Sequence, residues 1–216
     1  MEYELPSVLE TEGVGAGTSV LLAGPPGTGK RELLWEVLTS GRKGGSVLVT
    51  MTDPVDELGF EFERVGPDEP EVHAVDASGD LDRSAVDGLS EPNGRVAGAE
   101  GPDDFTGIGL SLHSRLGELS PPNPNRRVGI DGVAPLLDAV DWESVYKFLR
   151  TMGDRATAQG WVFVATLDTD AVETVDYNLV RQAFDTVLET RATDDGYAVR
   201  TAGDEAAWHE WQPSGD

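Results

Sequence analysis

Residues 18–38 read TSVLLAGPPGTGKRELLWEVL, and their order decides the fold. Thr18–Ala23 is a short apolar run that predicts a strand. Gly24-Pro25-Pro26-Gly27-Thr28-Gly29 is a turn, and Lys30-Arg31 open a stretch in which Leu33, Leu34, Val37 and Leu38 share one helical face. Gly41, Arg42 and Lys43 follow as stop and dipole-compensating residues. A Gly-x4-Gly-Lys pattern in a strand-to-helix turn is a phosphate cradle, because its glycines let backbone N–H groups point inward and the helix N-terminus adds positive partial charge. Lys30 would reach the β- and γ-phosphates. Gly24, Pro25, Pro26, Gly27, Thr28, Gly29, Lys30 and Arg31 are therefore the candidate nucleotide-binding residues.

Outward from this unit, strands and helices alternate, which predicts an α/β fold with a mostly parallel central sheet flanked by helices. Ser46–Met51 (SVLVTM) is a second strand, with a helix expected to start near Thr52-Asp53-Pro54 and Asp53 as its cap. Glu71–Asp76 is a weaker third strand, and residues 77–103 read mostly as surface loop. Apolar residues at helical intervals from Phe105 to Leu119 predict a helix, with Gly107 and Gly109 marking close packing or a kink. The turn Pro121–Asn125 leads to a strand at Arg127–Asp131. Asp141 caps a long helix with an inner face of Val145, Phe148, Leu149, Met152 and Ala156. Trp161–Leu167 is a buried strand and Val175–Phe184 a helix. Thr186–Arg191 and Tyr197–Thr201 flank Asp195-Gly196, an antiparallel hairpin that closes the fold. Residues 1–12 read as an N-terminal extension, 13–202 as a single domain and 203–216 as a frayed acidic tail, with Trp208 and Trp211 a small packing or docking patch.

The chain of 216 residues carries 16 basic and 40 acidic residues, a formal charge of −24, and no cysteine. That excludes disulfides, zinc knuckles and thiolate chemistry. The excess negative charge, roughly one per ~400 Å² of surface, destabilises a compact state at low salt and is screened at molar salt, where the Debye length is about 3 Å. Only three lysines stand beside thirteen arginines. The carboxylates are spread along the chain rather than blocked, so the composition reads as a solvated surface adapted to a very salty cytoplasm. The first residues carry neither a basic n-region nor an apolar h-region, and no apolar run reaches membrane-spanning length, so a cytoplasmic location without a membrane is expected. His73, His113 and His209 have no ligand spacing. The segment Thr166–Asp176 (TLDTDAVETVD) has no Lys or Arg, and the chain lacks a basic stripe, which argues against direct nucleic-acid binding.

Position 31 breaks the phosphate-loop pattern. Ser or Thr belongs there because its hydroxyl coordinates Mg²⁺ bridging the β- and γ-phosphates. Arg31 has no lone pair for a metal and brings a cation to the metal's place.

The segments GTSVLLAGPPGTGK (17–30), SVLVTMTD (46–53) and RRVGIDGVAPLL (126–137) resemble the KaiC-like branch of the RecA superfamily of P-loop ATPases, as does the closing FDTVLETRATDDGYAVRT (184–201). DFTGIG (104–109) is similar to a segment of uncharacterised haloarchaeal KaiC-like proteins. The resemblance covers about residues 13–202 and implies a RecA-like P-loop NTPase fold, with ATP or ADP as ligand and Asp131 as the aspartate that holds Mg²⁺. It also implies adjacent glutamates after the second strand, one of them the general base. Here Thr52 and Asp53 stand in their place, so Asp53 is the candidate catalytic residue, with a shorter reach. Departures at 31 and at 52–53 touch metal and base and spare the cradle.

That pattern is expected of a regulatory nucleotide-binding module with weak or lost hydrolysis, acting through a protein partner or self-association. The alternatives are a working Mg²⁺-dependent ATPase in which Glu32 or a water replaces the missing hydroxyl, and an interaction scaffold that binds no nucleotide.

Overall fold

The computed structural model describes residues 5–41, 44–58, 71–80, 95–119, 125–203 and 206–213. In chain order the described elements are α1 (Ser7–Thr11), β1 (Ser19–Gly24), α2 (Lys30–Thr39), β2 (Gly45–Thr50), β3 (Glu71–Asp76), β4 (Val96–Gly98), α3 (Phe105–Glu118) and β5 (Arg126–Asp131). Then come α4 (Ala134–Ala139), α5 (Trp142–Gln159), β6 (Val162–Asp168), α6 (Thr174–Val180), β7 (Thr186–Thr193), β8 (Gly196–Thr201) and β9 (His209–Trp211). Among the described residues the nine strands make one sheet in the order β4-β3-β2-β5-β6-β1-β7-β8-β9. Strands β4 through β7 pair in parallel, and β7-β8 and β8-β9 are antiparallel.

The parallel strands are apolar along their whole length because both faces are covered. In β1, Leu21 and Ala23 join a core with α3, α5 and α6, while Val20 and Leu22 join the opposite core with α1 and α2. The face expected of the first helix is realised in full: Leu33, Leu34, Val37 and Leu38 are all inaccessible. Asp104 caps α3 by accepting from Gly107 N (2.8 Å), and Asp141 caps α5 by accepting from Ser144 N (3.0 Å). A Cβ at Gly107 would collide with the capping Asp104 carboxylate, whereas Gly109 faces open space, so close packing explains the first glycine alone. On α5, Phe148 is half-buried and stacks on Phe105 with ring centroids 4.7 Å apart.

Five expectations are corrected. The helix after β2 is, within the described residues, a single 3-10 turn, Val55–Glu57, and Asp53 does not cap it. The loop expected over 77–103 contains β4, which pairs with β3, while 81–94 lie outside the described residues, as do 121–124 of the expected turn. The helix expected over Val175–Phe184 is α6 followed by a 3-10 turn, Arg181–Ala183. The N-terminal extension is part of the packing: Leu5, Val8 and Leu9 are buried in the core beneath α2. The acidic tail contains β9, whose Trp211 is buried and donates from Nε1 to Glu36 on α2 (3.0 Å). The two terminal segments also meet, since Glu12 accepts from Thr201 N (2.7 Å) and lies 3.3 Å from His209. Among the described residues no helix is long and apolar enough to cross a membrane.

Candidate functional site

Strand register builds the site. Gly24 at the end of β1 pairs with Asp168 at the end of β6, and Thr50 at the end of β2 pairs with Asp131 at the end of β5. The loop 24–31 and two carboxylates therefore meet at the carboxyl edge of the parallel strands, where α/β sheets open a crevice. A cleft of about 290 Å³ lies there, lined by Pro26 to Glu32 on one side and by Thr52, Asp131, Gly132, Ala134, Thr166 and Asp168 on the other. Gly24 and Pro25 border a second hollow of about 390 Å³, beside Tyr177, Arg191 and Trp208.

The loop conformation depends on Gly27 and Gly29, both left-handed at φ +71° and +80°. Gly29 opens α2 without a side-chain cap, leaving the helix N-terminus facing the cleft loop. Two aromatic rings also need that glycine bare: a Cβ there would come within 2.5 Å of Tyr197 Cδ2 and 2.9 Å of Trp211 Cζ3. Thr28 is buried and its hydroxyl bridges Pro25 O (2.8 Å) and Thr190 Oγ1 (2.7 Å), which ties the loop to β7.

Lys30 is buried, and its ammonium donates to Gly24 O (2.9 Å), Pro25 O (2.6 Å) and Thr28 Oγ1 (3.3 Å) while pairing with Asp168 Oδ1 (2.6 Å). Arg31 turns inward rather than to solvent. Its Nε lies 2.8 Å from Asp131 Oδ2, and its Nη2 donates to Asp53 Oδ2 (2.5 Å) and Thr52 Oγ1 (3.1 Å). Asp131 is buried and also accepts from Thr166 Oγ1 (3.0 Å), whose oxygen in turn accepts from Gly132 N (2.8 Å). Burial pushes the Asp131 carboxyl above the usual carboxylate range, and the Arg31 charge and Thr166 hydroxyl hold back part of that rise. Burial likewise works against the Arg31 charge, but Asp131 and Asp53 outweigh it and hold the guanidinium above its ordinary value.

The predicted residues thus come together, with different partners from those expected. Asp53 binds Arg31 instead of capping a helix. Glu32 lines the cleft, and its charge, with burial, holds the Tyr197 hydroxyl above its ordinary value. Asp168, Thr166 and Thr190 escape a reading of motifs. The signal for Asp168 is its place as the first polar residue after Leu167, one position beyond the expected end of β6. The histidines stay apart: His73 meets Glu71 (3.0 Å), His113 accepts from Arg155 (3.3 Å) and His209 faces Glu12. No group of three or more His, Cys, Asp or Glu among the described residues is arranged to hold a metal ion.

The fold and site define an α/β protein whose glycine loop, helix N-terminus and ion-paired Lys30 and Arg31 border one cleft at the carboxyl edge of the sheet. Backbone N–H groups and cations in that setting suit an anionic ligand. The chain belongs to a family described as a family of unknown function (DUF7504), which matches residues 17–190, from just before β1 into β7. No curated protein matches it.

Proposed function

We propose that the protein is a RecA-like P-loop nucleotide-binding protein of the KaiC-like type. In this reading it holds ATP or ADP as a regulatory or signalling module and hydrolyses ATP weakly or not at all. The observation that carries this is the pairing of an intact cradle with an altered rim. Gly24, Gly27, Gly29 and Lys30 keep the strand–loop–helix arrangement that receives phosphates, while Arg31 occupies the carboxylates that a hydrolytic site would use for metal and base.

Each residue then has a defined task. The N–H groups of the loop and the start of α2 receive the phosphates. Lys30 leaves Asp168 to meet phosphate oxygens. Asp131 is held by Arg31 and Thr166 and is not offered to an incoming ligand. Asp53, already bonded to Arg31, is a poor base for an attacking water, since proton abstraction needs a free carboxylate within hydrogen-bond reach of that water. Bound nucleotide would be reported to a protein partner or a second copy of the chain rather than to nucleic acid, because the segment after β6 is acidic. The acid-rich composition supports work in a salty cytoplasm.

The test is calorimetric titration of ATP and ADP in molar KCl, with phosphate release measured on the same sample. Lys30→Ala should weaken binding at least about tenfold, about 1.4 kcal/mol, with its circular dichroism spectrum retained. Equal affinity for wild type and variant would remove the nucleotide reading, and brisk phosphate release by the wild type would replace the regulatory module with a working ATPase.

A further inference from the structure

Magnesium does not fit this site as it is built. The ion would need the free oxygen of Asp131, and that oxygen, Oδ2, is held by Arg31 Nε at 2.8 Å, while Oδ1 is held by Thr166 at 3.0 Å. Thr52 Oγ1 and Asp53 Oδ2 are bonded to the same guanidinium. A divalent ion entering there would displace three contacts and face a like charge that never deprotonates.

We propose that Arg31 replaces the divalent ion, and that the cleft takes a nucleoside diphosphate free of metal, at least as tightly as the triphosphate. This inference rests on the nucleotide reading above and names the ligand form. The first argument is the donor inventory. A guanidinium has five N–H bonds. The Nε and Nη2 groups of Arg31 go to Asp131, Asp53 and Thr52, and Nη1 has no hydrogen-bond partner among the described residues. Arg31 is over one third exposed and lines the same cleft as the loop, so Nη1 is available to a phosphate oxygen where a metal would otherwise bridge.

The second argument is charge. Lys30 and Arg31 bring two positive charges to the cleft, and Glu32, Asp131 and Asp168 with the adjoining Asp53 bring four negative ones. A phosphate in the loop faces backbone N–H groups and the helix N-terminus. A further phosphate beyond it faces the strand-end carboxylates, with no divalent ion to separate like charges. The third phosphate therefore adds repulsion from those carboxylates that the Lys30 and Arg31 charges, each already ion-paired, offset only in part.

The test titrates the full chain in molar KCl with ADP and with ATP, each in excess Mg²⁺ and in EDTA. Affinity for each nucleotide should change by less than about threefold between the two conditions, and ADP should bind at least as tightly as ATP. Arg31→Thr, checked for fold by circular dichroism, should bind both nucleotides about tenfold or more tightly with Mg²⁺ than with EDTA. A wild-type gain of about threefold or more from Mg²⁺, or tighter binding of ATP than of ADP, overturns the proposal and leaves the nucleotide reading standing. Absence of binding for both nucleotides in both conditions overturns the two together.

Discussion

Arg31→Met isolates the contact on which the site turns. Methionine keeps the apolar stem and removes the guanidinium, so buried Asp131 loses its ion-pair partner and keeps only Thr166 and the longer Thr52 hydroxyl bond. Two unit charges 2.8 Å apart attract by about 6 kcal/mol at an effective dielectric constant of ~20. The net effect is smaller, because Arg31 is over one third exposed and shares its charge with half-exposed Asp53. Breaking a buried pair from one side costs about 3–5 kcal/mol, and screening reduces the expected loss here to about 2–3 kcal/mol at neutral pH. The loss should depend on pH with a definite sign. Burial already raises the native Asp131 carboxyl above its unfolded value, and loss of the guanidinium raises it further. Between the unfolded value, about 3.9, and the raised native one, the native state holds more protons. Stability therefore falls as pH rises through that window, and the penalty shrinks as pH is lowered into it. Urea unfolding in molar KCl, followed by circular dichroism at neutral and mildly acidic pH, measures both effects. Arg31→Met with Asp131→Asn should regain most of the loss, since no buried charge is then left alone. A penalty that is absent at neutral pH, or equal at the two pH values, would refute the reasoning.

The formal charge of −24 should make the fold depend on salt, so the circular dichroism spectrum and thermal midpoint should be retained in molar KCl and decline on dilution; a spectrum unchanged at low salt would remove the salt-adaptation reading. Gly29→Ala should cost about 2–3 kcal/mol, from the left-handed backbone (φ +80°) and from the Tyr197 and Trp211 rings against the new Cβ, and a thermal midpoint like that of wild type would show that the rings yield freely.

The parallel part of the fold was legible because its signals are local and strong. Short apolar runs such as TSVLLA and WVFVATL, bounded by glycine or polar residues, suit strands covered on both faces, and the capping residue Asp141 marked a helix start through a contact within four residues. The terminal segments were not legible for the opposite reason. His209–Trp211 is short and surrounded by polar residues, and what makes it a strand is the pairing Tyr197↔Trp211 and the burial of one indole against α2, neither of which leaves a period in the sequence. Leu5, Val8 and Leu9 likewise find their core only once α2 lies on the sheet. The glycine loop announced itself, but its partners did not. Asp168 and Thr190 reach it through strand register across β6 and β7, a relation that one segment cannot display.

The departures at 31 and at 52–53 looked like separate losses along the chain, yet they form a single cluster. One nitrogen of Arg31 bonds both Thr52 and Asp53, and its Nε holds Asp131. An arginine at 31 with a catalytic glutamate left after β2 would bind that glutamate and disable it. A shorter carboxylate at 53, without the arginine, would lose its ion-pair partner, and its charge would push the buried Asp131 carboxyl further up. Thr52 fits because its methyl closes on Gly132, where a Cβ would collide with it, while its hydroxyl takes the guanidinium. Glycine at 132 is required twice over, by that contact and by φ +84°, and its N–H fixes the Thr166 hydroxyl that holds the other oxygen of Asp131. Restoring one position alone should therefore not restore a hydrolytic site, because each residue of the cluster is shaped to the charge of Arg31.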